Sequence, residues 1–174
     1  MNRLHKKING FVLKRRSLLE KDAIMTMFTK EQGKMTLLVK GVRKITSKRA
    51  AHIQTGNLIR AQIRESKGIY YLQSSELVSG FLSLRTEMYI DHIYLFLSII
   101  DGLMPEAQED REVYTTIQQF FVRLSKKSNH SDVLRVSIQT LLETLGYIDR
   151  MLSLSELILT AENHMEKRLP RHVL

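Results

Sequence analysis

The 174-residue sequence predicts an α+β chain in two parts: a small closed barrel of five strands over residues 1–80, then an all-α helical bundle over residues 81–174. Two observations carry that division. Apolar residues recur with the period of a strand up to about residue 80 and with that of a helix from residue 82 onward. Charge divides at the same place: residues 1–80 hold 17 Lys and Arg against 5 Asp and Glu, a net of +12, whereas residues 81–174 hold 10 against 13, a net of −3.

Five segments read as strands: INGFVLK (8–14), AIMTMFT (23–29), KMTLLVK (34–40), NLIRAQIR (57–64) and IYYLQSSELV (69–78). They are rich in β-branched and aromatic residues and are separated by turn material such as EQG and SKG. In the fourth, Ile59, Ala61 and Ile63 alternate with Arg60, Gln62 and Arg64, which puts the apolar set on one sheet face. Five short strands in so few residues favour a closed barrel, because closure removes exposed edges.

The second part reads as helices. Residues 84–103 are apolar almost all round, as a buried central helix would be, and Pro105 ends them. Val113, Ile117, Phe120, Phe121 and Leu124 share one helical face. Leu134, Ile138, Leu141, Leu142 and Leu145 share another, with Gly146 placed to stop that helix. Ser153 and Glu156 have the spacing of a capping box ahead of Leu157, Ile158 and Ala161. No internal repeat or low-complexity linker interrupts the chain.

The same residues exclude much chemistry. No apolar run reaches the ~18 residues of a membrane span, and the basic start MNRLHKKINGFV has too short an apolar part for a signal sequence. The absence of cysteine rules out disulfides and thiolate metal sites and points to the cytoplasm. Nucleophile-elbow, P-loop, dinucleotide-binding and H-E-x-x-H motifs are all missing. The six histidines form no i, i+4 pair; His92 reads as a core or helix-surface residue. Glu109-Asp110-Arg111-Glu112 precedes a helix, where acidic groups meet the helix dipole. The eight methionines read as core filler. The expectation is a protein without catalytic residues, metal or cofactor.

The basic residues point to a polyanion, nucleic acid before membrane. Lys14 and Arg15 (with Arg16) follow the first strand. Five of the ten residues from Lys40 to Arg49 are basic: Lys40, Arg43, Lys44, Lys48 and Arg49. Arg60, Arg64 and Lys67 belong to the fourth strand and its turn. Lined along a barrel, these groups would track phosphates, with the 40–49 loop as the main cluster and Gly41 letting it turn out of its strand. Tyr70 and Tyr71 point to opposite sides of their strand, and the outward one is placed to stack on a base or to pack across strands.

Gly10-Phe11-Val12-Leu13, Glu20-Lys21-Asp22, Phe28-Thr29, Gly33-Lys34, Lys40-Gly41-Val42-Arg43-Lys44 and Ser47-Lys48 occur in the order and spacing of the RecO family. LLETLGYIDR (141–150) resembles that family's penultimate bundle helix, and HMEKRLPRHVL (164–174) its basic C-terminal end. The resemblance is densest over residues 8–80. It implies an N-terminal OB-fold followed by a helical domain. For function, it implies a non-enzymatic DNA repair and recombination mediator, cytoplasmic and nucleoid-associated. Such a protein binds single- and double-stranded DNA, anneals complementary strands, contacts the C-terminal tail of the single-strand-binding protein SSB, and works with RecR to load RecA. Many members carry a four-cysteine zinc module after the helix that here ends at Gly146-Tyr147. Only Ile148 to Leu152 separate that helix from the capping box, so the module is expected to be absent.

Two other readings fit the residues. An OB barrel with an RNA ligand would bind structured RNA at least as tightly as DNA. A protein-interaction scaffold would instead use the helical half, with Arg123, Lys126 and Lys127 as cations beside a groove.

Overall fold

The period-two segments form the strands of a closed barrel in a computed structural model that describes residues 5–18, 21–42, 49–81, 87–126, 130–166 and 168–169. They are β1 (His5–Ser17), β2 (Ala23–Thr29), β3 (Gly33–Val39), β4 (Leu58–Ser66) and β5 (Ile69–Ser79). The order around the barrel is β1-β2-β3-β5-β4, with β3 and β5 parallel and every other pair antiparallel. This is the five-stranded OB-fold expected from the sequence. Its interior is closed by Ile8, Val12, Met25, Met27, Leu37, Ile59, Ile63 and Leu72, all buried. A filled apolar interior leaves the outer face as the place for chemistry.

β1 is longer than the segment 8–14 that the sequence pattern indicated, because it begins at His5 and carries Arg15, Arg16 and Ser17 within it. The 40–49 stretch also leads into an element that the pattern did not disclose, the one-turn helix α1 (Arg49–His52). Four residues are too short for a period to register. Two buried residues, Val42 and Ile53, tie this connection to the barrel core, and the Asn57 side-chain amide donates to the Ala51 and His52 carbonyls, 3.0 Å each.

The chain divides into two compact units, one of residues 1–81 with 106–109, the other of residues 82–105 with 110–174. The sequence pattern assigned 106–109 to the helical part, yet those residues return to the barrel unit. β5 pairs with β3 only at Leu37 and Leu38. Glu106 bridges to Lys34 on the remaining part of β3, the Ala107 N–H donates to the Lys34 carbonyl (2.8 Å), and the Thr36 hydroxyl donates to the Glu106 carboxylate (2.9 Å). An otherwise open strand edge is thereby partnered.

The second unit holds α2 (Glu87–Leu103), α3 (Arg111–Ser125), α4 (His130–Thr144) and α5 (Leu154–Met165). α4 packs against each of the other three. α2 buries Leu95, Phe96, Leu97, Ile99 and Ile100 and shows Tyr94 to solvent. Phe96 meets Phe120 of α3 with ring centroids 4.3 Å apart. Asp110 caps α3, its carboxylate accepting from the Glu112 and Val113 N–H groups at 3.0 and 2.9 Å, so the acidic cluster is a helix start. Ser153 and Glu156 form the expected capping box on α5. The Ser153 hydroxyl and N–H both donate to the Glu156 carboxylate, and these bonds hold its pKa below the ordinary glutamate value. Gln139 ties down the α4–α5 connection, donating to the Arg150 carbonyl (2.8 Å) and accepting from the Leu152 N–H (3.1 Å). Among the described residues, no helix is long and apolar enough to cross a membrane.

Candidate nucleic-acid interface

Basic side chains leave the barrel on two outer surfaces. The first is set by a bulge in β1, where the register with β2 shifts between Val12 and Lys14. A bulge inserts one residue and reverses which side chains face out. Simple alternation from Ile8 and Val12 would turn Lys14 and Arg16 inward. Past the bulge, Lys14 pairs with Thr26 and Arg16 with Ile24, on the face opposite to that of the core residues Met25 and Met27. Lys14 and Arg16, with Ile24, Thr26 and Thr36, line a groove of about 390 Å3 over β1, β2 and β3. In OB barrels, the strand 2–3 face is a usual oligonucleotide surface. Arg15 is the register partner of Met25 and so belongs to the interior face at the barrel's end. Of the two first-strand residues expected at the interface, Lys14 reaches the groove and Arg15 does not. Arg16 takes its place; its spacing of two from Lys14 was the available signal.

The second surface lies across β1, β4, β5 and the end of β3. Arg64 is register partner to His5 on one side and Tyr71 on the other, and Tyr71 in turn to Leu38 of β3. Of the two adjacent tyrosines, Tyr70 packs against the barrel core and Tyr71 faces outward. The Arg64 guanidinium carbon lies 5.2 Å from the Tyr71 ring centroid and the Lys40 ammonium 5.6 Å from it, both within cation–π range. His5 and Lys7, exposed on the same β1 segment, extend the row; they become legible only with the β1–β4 register, since they lie far from Arg64 in sequence.

Lys67 stands at the tip of the β4–β5 hairpin. It and Gly68 both have positive φ, 52° and 75°, as a two-residue hairpin turn of matching twist requires. Glycine or asparagine would adopt this backbone with less strain than lysine.

Arg60 faces outward as expected but is engaged. Its guanidinium donates to Glu76 across the β4–β5 pair at 3.0 Å, both side chains more than half exposed. The root of the 40–49 loop is also defined. Lys40 is exposed, Gly41 turns with φ 63°, and the Gly41 N–H donates to the Asp22 carboxylate at 2.8 Å. Arg43, Lys44 and Lys48 lie outside the described residues, as does the Arg49 side chain.

The helical unit holds a separate groove of about 640 Å3, lined by His92, Leu95, Leu134, Leu154, Ser155, Ile158, Leu159 and Glu162. Neither Arg123 nor Lys126 belongs to its lining, and Lys127 lies outside the described residues. No group of three or more potential metal-ligating side chains occurs among the described residues.

Residues 1–81 match the family model described as Recombination protein O N terminal. The chain is similar to the DNA repair protein RecO of Syntrophobacter fumaroxidans, 25% identical over 80% of this chain and 56% of that protein. It is 26% identical to RecO of Caldanaerobacter subterraneus over 85% of this chain and 57% of that protein. RecO of Mycoplasma mycoides is 27% identical over 88% of this chain and 62% of that protein. The chain thus spans about half the length of the curated relatives it matches.

Proposed function

We propose that this chain, whose residues 1–81 match the RecO N-terminal family model, acts in DNA repair and recombination as a non-enzymatic mediator that holds two DNA strands on one OB barrel and anneals them. The observation that carries this reading is the pair of basic outer surfaces. Lys14 and Arg16 line a groove over β2, whereas Lys40, Arg64 and Lys67 group about β4 and β5. Lys14 and Arg16 stand on the part of β1 that pairs with β2, whereas Lys40 follows β3 and Arg64 and Lys67 belong to β4 and its hairpin turn, so the two groups occupy different parts of the barrel's outer face.

Two strands approaching each other are opposed chiefly by their phosphates. Lys and Arg on each surface take up one strand by displacing its counterions, and the remaining repulsion between the two bound strands falls. Base pairing supplies the driving force, so no nucleotide cofactor is needed. The like charges of the 40–49 loop, rooted at Lys40 and Gly41, repel one another until a phosphate backbone supplies the countercharge. SSB, through its C-terminal tail, and RecR are proposed as partners on the family likeness, with RecA loading on SSB-coated strands as the outcome. The site of action proposed is the cytoplasmic nucleoid.

The test is annealing of two labelled complementary oligonucleotides, naked and SSB-coated, across a salt series. Acceleration that fades with salt and survives SSB coating is expected. Binding without acceleration would overturn the mediator reading, and tighter binding to structured RNA than to DNA would replace it with an RNA-binding role.

A further inference from the structure

Tyr71 is the one outward aromatic side chain among the described residues that is flanked by two of the proposed DNA-binding cations, and its role decides what the second surface reads. In single-strand binders an outward aromatic side chain serves as a stacking platform for a base. Here the ring already has the Arg64 guanidinium 5.2 Å and the Lys40 ammonium 5.6 Å from its centroid. A base stacking on it would have to displace cations that the phosphates need.

Resting on the DNA-binding reading above, we propose that Tyr71 is a positioning residue whose ring holds Lys40 and Arg64 together as a binding pair for the phosphodiester backbone, so that this surface reads phosphates and not bases. Arg64 reaches the ring as its cross-strand partner on β4, and Lys40 comes from the turn directly after β3, two residues beyond Leu38, the ring's partner on that strand. Three strands thus converge on one ring. Lysine and arginine side chains lose much rotamer freedom when they grip a ligand. Holding the two heads on a ring before DNA arrives removes part of that loss. The geometry suits single and double strands alike, since both present the same backbone.

The experiment uses the full chain with a single-stranded oligonucleotide and an abasic strand of equal length, affinities being read by fluorescence anisotropy. Wild type is expected to bind both strands equally well. Tyr71→Leu, which keeps an apolar side chain against Leu38, should weaken binding to both by the same factor, about 3- to 10-fold; Tyr71→Phe should restore it. In a Lys40→Ala/Arg64→Ala background, Tyr71→Leu should change nothing further. A loss confined to the base-containing strand, or one that persists without the two cations, overturns the proposal. Should Tyr71→Leu fail to fold, the wild-type comparison still decides: markedly weaker binding to the abasic strand means that the ring stacks on bases. Failure of the DNA reading itself looks different, because wild type would then bind neither strand, and both proposals would fall.

Discussion

Glu76→Gln is expected to tighten DNA binding, although it touches no residue expected to meet DNA except through Arg60. The pair is exposed, 55% for Arg60 and 67% for Glu76, with the donor and acceptor 3.0 Å apart. Exposed pairs contribute roughly 0.2–1 kcal/mol to folding, so the variant should fold with little change. A phosphate arriving at Arg60 meets the Glu76 carboxylate one side chain away. At roughly 7 Å in water two like charges repel by about 0.6 kcal/mol, and a Debye length of ~8 Å at physiological salt reduces this to about 0.3 kcal/mol. Freeing the guanidinium for one more phosphate steepens the log–log salt slope on single strands by about 0.7, a further factor of ~2 between about 150 and 50 mM salt.

Together these effects give about a 2- to 4-fold gain at low salt that shrinks as salt rises. Anisotropy titrations across a salt series measure both the gain and the slope. Glu166→Gln, in the other unit, changes net charge equally and should leave binding nearly unchanged. No gain over that control would mean that Arg60 does not face DNA. Weaker binding would mean that DNA uses the Arg60–Glu76 pair intact, and either result refutes the reasoning.

Three further outcomes follow from the same geometry. Lys14→Ala/Arg16→Ala should flatten the single-strand salt slope by about 1.4, whereas Arg15→Ala, on the interior face, should leave it nearly unchanged; the same titrations compare them. Lys67→Asn should raise the thermal midpoint, because asparagine relieves a positive φ that costs other residues about 1–2 kcal/mol, while lowering DNA affinity through the lost charge. Ser153→Ala should cost about 1 kcal/mol in denaturant unfolding. Since the folded Glu156 pKa lies below its unfolded value, the stability this carboxylate adds is present above the ordinary glutamate pKa. It disappears as pH falls through the lowered folded value, so the Ser153→Ala deficit should narrow in acid.

The elements most legible in the sequence were those whose signal is local. β2, the closed five-stranded barrel, the α5 capping box and the acidic start of α3 follow from period two, helical period and cap spacing, each written within a few residues. The interface is written less directly. Which of Lys14, Arg15 and Arg16 face outward depends on one inserted residue in β1, and a bulge leaves no mark in the alternation that it breaks. That His5 lies beside Arg64, or Glu76 against Arg60, is set by strand register, a relation between distant segments. Glu106 returns to β3 because an edge there lacks a partner, and that vacancy exists only once the barrel has closed.

If one barrel carries two strands on two sides, its annealing activity has a concentration dependence that a one-surface protein lacks. At low protein each molecule bridges two strands and the rate rises with concentration. Once protein exceeds strands, each strand is covered by its own copies, both surfaces compete for the same backbone, and bridging declines. The annealing rate should therefore pass through a maximum near the point of strand saturation and then fall. Lys14→Ala/Arg16→Ala sharpens the test. It should retain single-strand binding through Lys40, Arg64 and Lys67 yet lose most annealing, since one side of the bridge is gone. A protein that merely screens charge would show a rate that rises to a plateau, and in the variant a loss of annealing only as large as its loss of binding. A plateau in wild type, or proportional losses in the variant, would refute the two-surface mechanism and leave a single DNA-binding face.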